Sequence, residues 1–294
     1  MEERSSKHRG AARGRRGTVA VVALLALIAV VAVSLNHSGP AGSQTNATAA
    51  PDPGNPPSPT GLRAALARDD DAIDEVLAYA PYIAQGRAAS KEVALTFDDG
   101  PSAGTPKLLA FLKAHHVPAT FFLVGKAIDQ HTDIVREEAR AGFSLGTHTE
   151  SHAALASLTR SAQDREILTA ADRITRISRH AVRLFRPPYG SFDAHTMSIL
   201  HAERILMVLW SVDTKDYEAT GPKSIVKAAL DGASAGRILL FHDGPGPRPF
   251  TLAALRTIVP KLRARGYRLV SVPELLRKDP PPRHQPAPTN LAGG

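Results

Sequence analysis

Residues 93–101 read Val-Ala-Leu-Thr-Phe-Asp-Asp-Gly-Pro. The first five are apolar or β-branched, as in a short buried strand. Two carboxylates and a Gly-Pro turn follow at once. The turn lets Asp98 and Asp99 escape strict strand alternation, so both can face one side. The same grammar, an apolar run closed by reactive polar residues, recurs down the chain. Phe143–Thr147 is followed by His148-Thr149-Glu150-Ser151-His152, and Val182–Phe185 by Arg186-Pro187-Pro188-Tyr189-Gly190. Ile205–Val212 is followed by Asp213-Thr214-Lys215-Asp216-Tyr217, and Ile238–Phe241 by His242-Asp243-Gly244. Two further runs, Ala119–Val124 and Tyr267–Val272, bring the expected strands to seven. Helical stretches separate them. Thr105-Pro106 opens one, as N-cap and first helical residue. Thr251 opens what reads as the last, with Leu252, Leu255, Val259 and Leu262 on one face, a kink expected at Pro260 and Gly266 as its stop.

Strands alternating with helices predict a parallel α/β sheet or barrel. In such a barrel the C-terminal strand ends converge on one face. Five polar clusters at five such ends therefore predict one site. Each cluster alone says less. His148 and His152 stand four apart, the spacing of two ligands on one helix face or strand-to-helix turn, but twelve histidines make such a pair common. Arg186 could serve a structural ion pair, Asp98 and Asp99 a turn, and Asp213 and Asp216 a solvated loop.

Together the clusters resemble the NodB-type polysaccharide deacetylases, carbohydrate esterase family 4. Thr96–Pro101 (TFDDGP), 148–152 (HTESH), 186–190 (RPPYG), 213–217 (DTKDY) and 240–243 (LFHD) match the five family motifs in order, over about 91–276. The resemblance implies a distorted, incomplete (β/α) barrel of about seven parallel strands. It implies a divalent metal held by Asp99, His148 and His152, with zinc suited to a thiolate-free set. Asp98 would be the general base toward water and His242 the general acid toward the leaving amine. Asp216 would orient His242 and keep it protonated, Arg186 would pair with Asp98, and the Tyr189 N–H would complete an oxyanion hole. Leu240 would meet the acetyl methyl, and Tyr189 and Tyr217 would line the substrate groove. Two positions depart from the pattern: Tyr217 stands where the family has Trp, and Glu150 where an aromatic residue is common. Trp210 reads as strand packing, Asp243 as a loop anchor, and His115, His116, His131, His180, His195 and His201 as surface residues; Asp213 is given no role.

The rest of the 294-residue chain frames this domain. There are no cysteines, which excludes disulfide scaffolds, iron–sulfur clusters and a thiol nucleophile. The net charge of +8 sits at the ends: +4 over residues 1–17 and +2 from Arg277 onward. That leaves the centre near neutral and removes the argument for nucleic-acid binding. Residues 18–35 are uncharged and long enough to cross a bilayer, and the basic segment before them places the N-terminus inside. The expectation is an uncleaved single-pass anchor in a bacterial membrane with the catalytic domain outside. A cleaved signal and a secreted protein is the alternative. Residues 36–60 read as a Pro-rich linker, 61–90 as a helical lead-in, 91–278 as the catalytic domain and 279–294 as a disordered Pro-rich tail.

The expected activity is metal-dependent removal of N-acetyl groups from a cell-surface polysaccharide, with peptidoglycan N-acetylglucosamine preferred over chitin oligomers or O-acetylated xylan. The protein is expected to be a monomer. A non-catalytic glycan binder would not require Asp98 and His242, and a glycosidase using Asp98 and Asp216 would leave both histidines unexplained.

Overall fold

The computed structural model describes residues 54–55 and 57–283. The segments 1–53 and 284–294, including the 18–35 run, lie outside the described residues. Among the described residues no helix is long and apolar enough to cross a membrane.

Among the described residues, nine strands form one sheet: β1 (Tyr82–Ile83), β2 (Glu92–Asp98), β3 (Thr120–Leu123), β4 (Ser144–Thr147), β5 (Leu184–Phe185), β6 (Leu206–Val208), β7 (Val212–Asp213), β8 (Ile238–His242) and β9 (Arg268–Val270). Among the same residues, nine α-helices lie between and around them: α1 (Pro59–Leu77), α2 (Thr105–Ala114), α3 (Gly125–Ile128), α4 (Thr132–Arg140), α5 (Arg160–Ser178), α6 (Ala194–Ala202), α7 (Pro222–Gly232), α8 (Pro249–Ala264) and α9 (Val272–Lys278). The strand order is β1-β6-β5-β4-β3-β2-β8-β7, with β9 on the N-terminal half of β2. All these pairings are parallel. The two ends of the order, β1 and β7, do not pair, so the sheet curls into an incomplete barrel.

β2 is the axis of the fold. It is buried along its whole length and pairs with β3, β8 and β9. Phe97 on it stacks against Phe121 of β3 and Phe241 of β8, with ring centroids 5.2 and 5.7 Å apart. The β2–β8 register sets Asp98 opposite His242.

Several expectations need correction. The run 205–212 is two strands, not one: β6 pairs with β1 and β5, whereas β7 pairs with β8. Leu209–Ser211 bridges the barrel's opening, and Trp210 lies there, outside any strand. β1 is too short for alternation to reveal it. Thr105 is not a cap, and Thr251 does not open its helix. α2 starts after Gly104, and α8 starts at Pro249 and runs through Pro260. A further helix, α9, follows what read as the last.

The chain also stays folded past 278. Asp279 is fully buried, and its carboxylate accepts from the N–H groups of Ala88 and Ala89, both at 2.9 Å. Helix α1 packs on α9, and Arg277 pairs with the buried Asp69 between them.

Candidate active site

The first three strand-end clusters leave their strands by a backbone that most residues avoid. Asp99, Thr149, His152 and Tyr189 have φ of 72°, 69°, 60° and 59°. Left-handed non-glycine residues cost energy and gather where side chains must be aimed. Here they turn consecutive residues away from strand alternation. The result is a cavity of about 460 Å³ at the C-terminal strand ends, lined by Asp98, Asp99, His148, His152, Tyr189, Tyr217, Leu240 and His242. Of the ten expected site residues, these eight share one space. Arg186 and Asp216 stand directly behind Asp98 and His242.

The metal-ligand candidates are Asp99, His148 and His152, whose donor atoms all lie within 4.8 Å of one another. The His148 Nδ1–H donates to the Arg186 carbonyl at 2.7 Å. A carbonyl can only accept, so Nε2 keeps its lone pair. That Nε2 stands 3.6 Å from Asp99 Oδ1, and His152 Nε2 stands 3.0 Å from it. Burial lowers the His148 pKa, against the raising effect of Asp98 and Asp99, which favours the neutral ligating form. Burial pushes the Asp99 carboxyl up, but the hydrogen bond with His152 and the surrounding histidines more than offset this and hold it below the usual range. A buried Asp99 Oδ1 lacking a hydrogen-bond donor, facing imidazole nitrogens, is a donor set that fits a divalent cation. The absence of sulfur and the His2Asp composition suit zinc.

The base and acid candidates are held by different surroundings. Asp98 is 2% exposed; its Oδ1 accepts from Arg186 Nη1 at 2.7 Å. Arg186 is fully buried and spends its other donors on Thr96 Oγ1 and the carbonyls of Val208 and Leu209, with its guanidinium 4.2 Å from the Phe122 ring centre. His242 Nδ1–H donates to Asp216 Oδ1 at 2.7 Å, and its backbone N–H to Asp216 Oδ2 at 2.9 Å. Thr251 donates to the same Oδ2 at 2.6 Å. This fixes the Asp216 carboxylate from two elements, a role the sequence did not betray because Thr251 read only as the start of a helix.

Burial pulls the His242 pKa down, but the bond to Asp216 and its charge push it above the ordinary 6.5. His242 is therefore poised as a proton donor. A raised pKa in the fold stabilises the protein below the unfolded value, and that contribution is lost as pH rises through the folded value. The same sign governs turnover. The alkaline limb of the pH–rate profile should lie above pH 6.5, and Asp216→Asn should move it down. An alkaline limb unmoved in that variant would remove His242 as its source.

Trp210, expected to pack in a strand, and Asp213, given no role, also line the cavity. Asp213 accepts from the Tyr217 hydroxyl at 3.1 Å, and the Tyr217 ring stands edge-on to His242 at 5.1 Å. Burial and Asp213 push the Tyr217 pKa up to about 12, so the hydroxyl stays a donor. Trp210 packs against the core, as expected, and also lines the cavity. It stands three residues before a strand-end cluster, at the break between β6 and β7. Glu150 does not line the cavity; it pairs with Arg173 of α5 at 2.9 Å. Asp243 is buried and its Oδ2 accepts from Thr105, tying the β8 end to α2.

The curled parallel half-barrel, with these five clusters at its strand ends, defines a polysaccharide deacetylase. The polysaccharide deacetylase family profile matches residues 85–205. The chain belongs to this family, the NodB-type deacetylases of carbohydrate esterase family 4. It is 34% identical over 198 residues to a peptidoglycan-N-acetylglucosamine deacetylase of Bacillus cereus, covering 67% of this chain and 72% of that protein. It is also 34% identical over 211 residues to a chitooligosaccharide deacetylase of Azorhizobium caulinodans, covering 67% of this chain and 99% of that one. Among solved structures, a peptidoglycan N-acetylglucosamine deacetylase with a bound 4-naphthalen-1-yl-N-oxidanyl-benzamide superposes with a TM-score of 0.65 at 32% identity. That match covers 71% of this chain and 97% of the other.

Proposed function

We propose that the protein is a metal-dependent N-deacetylase acting on the N-acetylglucosamine of peptidoglycan. The observation that carries this reading is the convergence of Asp98, Asp99, His148, His152 and His242 on one cavity. A binding module has no use for a base on one side and a protonated acid on the other.

Asp99, His148 and His152 would hold the metal, zinc by their chemistry. When bound, a divalent cation there polarises the substrate carbonyl and makes water more acidic. Asp98 takes the proton of the attacking water, with Arg186 fixing the carboxylate. His242 delivers a proton to the departing nitrogen, because an amine anion is too basic to leave unprotonated. The Tyr189 N–H serves the developing oxyanion. Leu240 meets the acetyl methyl, and Tyr189, Tyr217 and Trp210 form the rim on which sugar rings lie.

The test is acetate release from peptidoglycan, chitin oligomers and acetylated xylan, with and without chelator. Peptidoglycan should be the best substrate and chelation should stop release. His148→Ala and His152→Ala should each lose bound metal and activity together. Full activity after confirmed metal loss would sink the mechanism, and preference for acetylated xylan would make the enzyme an O-acetyl esterase.

Residues 18–35 would anchor the protein as a single-pass membrane monomer with the domain outside. Cell fractionation should place it in the membrane. A soluble product whose N-terminus begins beyond residue 35 would make the segment a cleaved signal instead.

A further inference from the structure

Behind His242 lies a second cavity, of about 280 Å³. Its walls come from the first turns of α2 and α8 and from the loop between β8 and α8. His242 lines both cavities, and the loop forms the ridge between them, with Pro245 facing the catalytic side and Pro247 the other.

The two differ in charge. The catalytic cavity is lined by Asp98, Asp99 and Asp213 and by no lysine or arginine. The second is lined by Lys107, Arg248 and Arg256. Lys107 and Arg256 are exposed; Arg248 is half-buried, its Nε donating to the Gly244 carbonyl at 2.7 Å. Arg256 lies over the Phe111 ring at 5.6 Å. Among the described residues, no carboxylate forms an ion pair with any of the three. The one acid in the lining, Asp243, is 2% exposed and has its Oδ2 engaged by Thr105. The N-terminal turn of α8, in the same wall, adds its positive end. Phe250 in that turn is 40% exposed, the third exposed large hydrophobic among the described residues beside Tyr189 and Tyr217.

An acetamido sugar is neutral and gives these cations nothing to neutralise. We propose that the second cavity is a subsite for a carboxylate carried by the same polymer, on a sugar next to the one being deacetylated. This rests on the deacetylase reading and narrows it. The named relatives divide between a peptidoglycan, whose lactyl and peptide groups bear carboxylates, and neutral chitooligosaccharides. Unpaired cations one ridge from the acid select the first class. Exposed charge pairs are each modest, so discrimination arises in KM and is weakened by salt.

The experiment uses three tetrasaccharides: alternating N-acetylglucosamine and N-acetylmuramic acid with free carboxylates, the same glycan with its carboxylates amidated, and chitotetraose. For the wild type, KM should be about 5- to 10-fold lower for the free carboxylate than for the amide at low salt, the size of two partly exposed pairs. The ratio should shrink toward one in about 0.5 M salt. Lys107→Glu with Arg256→Glu should erase the ratio and leave kcat on chitotetraose unchanged. Lys107→Gln with Arg256→Gln serves if the reversal does not fold. Equal KM for the carboxylate and its amide in the wild type, or a ratio that survives the double variant, would overturn the subsite. Calorimetric binding in an Asp98→Asn background reads the same preference without turnover. Absence of acetate release from every glycan would therefore defeat the deacetylase reading while the subsite is still judged.

Discussion

Replacing Asp98 by asparagine should nearly abolish acetate release and leave the metal bound, because the proposed ligand is the neighbouring Asp99. His242→Ala should also keep the metal, but its defect should depend on the leaving group. An amide nitrogen must be protonated to depart; an aryl acetate leaves as a weakly basic phenolate and hardly needs an acid. Asp98→Asn should therefore lose both activities, and His242→Ala far more of the amide activity than of the ester activity. General acid–base contributions are on the order of 100- to 10,000-fold, which ordinary kinetics resolves. Equal losses of His242→Ala on the two substrates, at unchanged metal occupancy, would remove His242 as the acid.

Arg186→Met should unfold the protein more readily than any exposed change at the site. It removes the guanidinium that pairs with the 2% exposed Asp98, and takes a donor away from Thr96 Oγ1 and from the carbonyls of Val208 and Leu209. Breaking a buried pair from one side costs about 3–5 kcal/mol. For a domain of this size that is a fall in Tm of roughly 6–20 °C. Asp98→Asn combined with Arg186→Met should recover part of it, since no lone carboxylate remains buried. A thermal melt of Arg186→Met within about 2 °C of the wild type would show that the guanidinium serves chemistry alone.

Much of this site could be read before any coordinates, for a physical reason. A parallel strand buried on both faces shows as an unbroken apolar run, and the residue that breaks it marks the C-terminal end where chemistry collects. Asp98, His148, Arg186 and His242 all stand at or just beyond such breaks. What stayed hidden depends on relations between distant segments. Leu209–Ser211 continues an apolar run in sequence, yet the barrel opens there, so Trp210 reaches the cavity and not a strand interior. Thr251 read only as a helix start because its partner, Asp216, lies 35 residues away. β1 offers two residues, too few for any period. Asp279 sits in a proline-rich stretch whose composition suggests disorder, and its burial is explained by distant partners, the N–H groups of Ala88 and Ala89 and the Arg87 guanidinium.

The pairing of Asp98 with His242 across β2 and β8 has a consequence for what this enzyme can become. Their α-carbons are separated by the interstrand spacing, roughly 4.8 Å. That interval belongs to the backbone lattice and cannot be adjusted by repacking side chains. In the proposed mechanism the two residues act as jaws of fixed opening: water would be deprotonated at one and nitrogen protonated at the other, for every substrate. A variant selected for longer acyl groups would have to carve its room from Leu240 and the surrounding loops, while the gauge between base and acid stays the same.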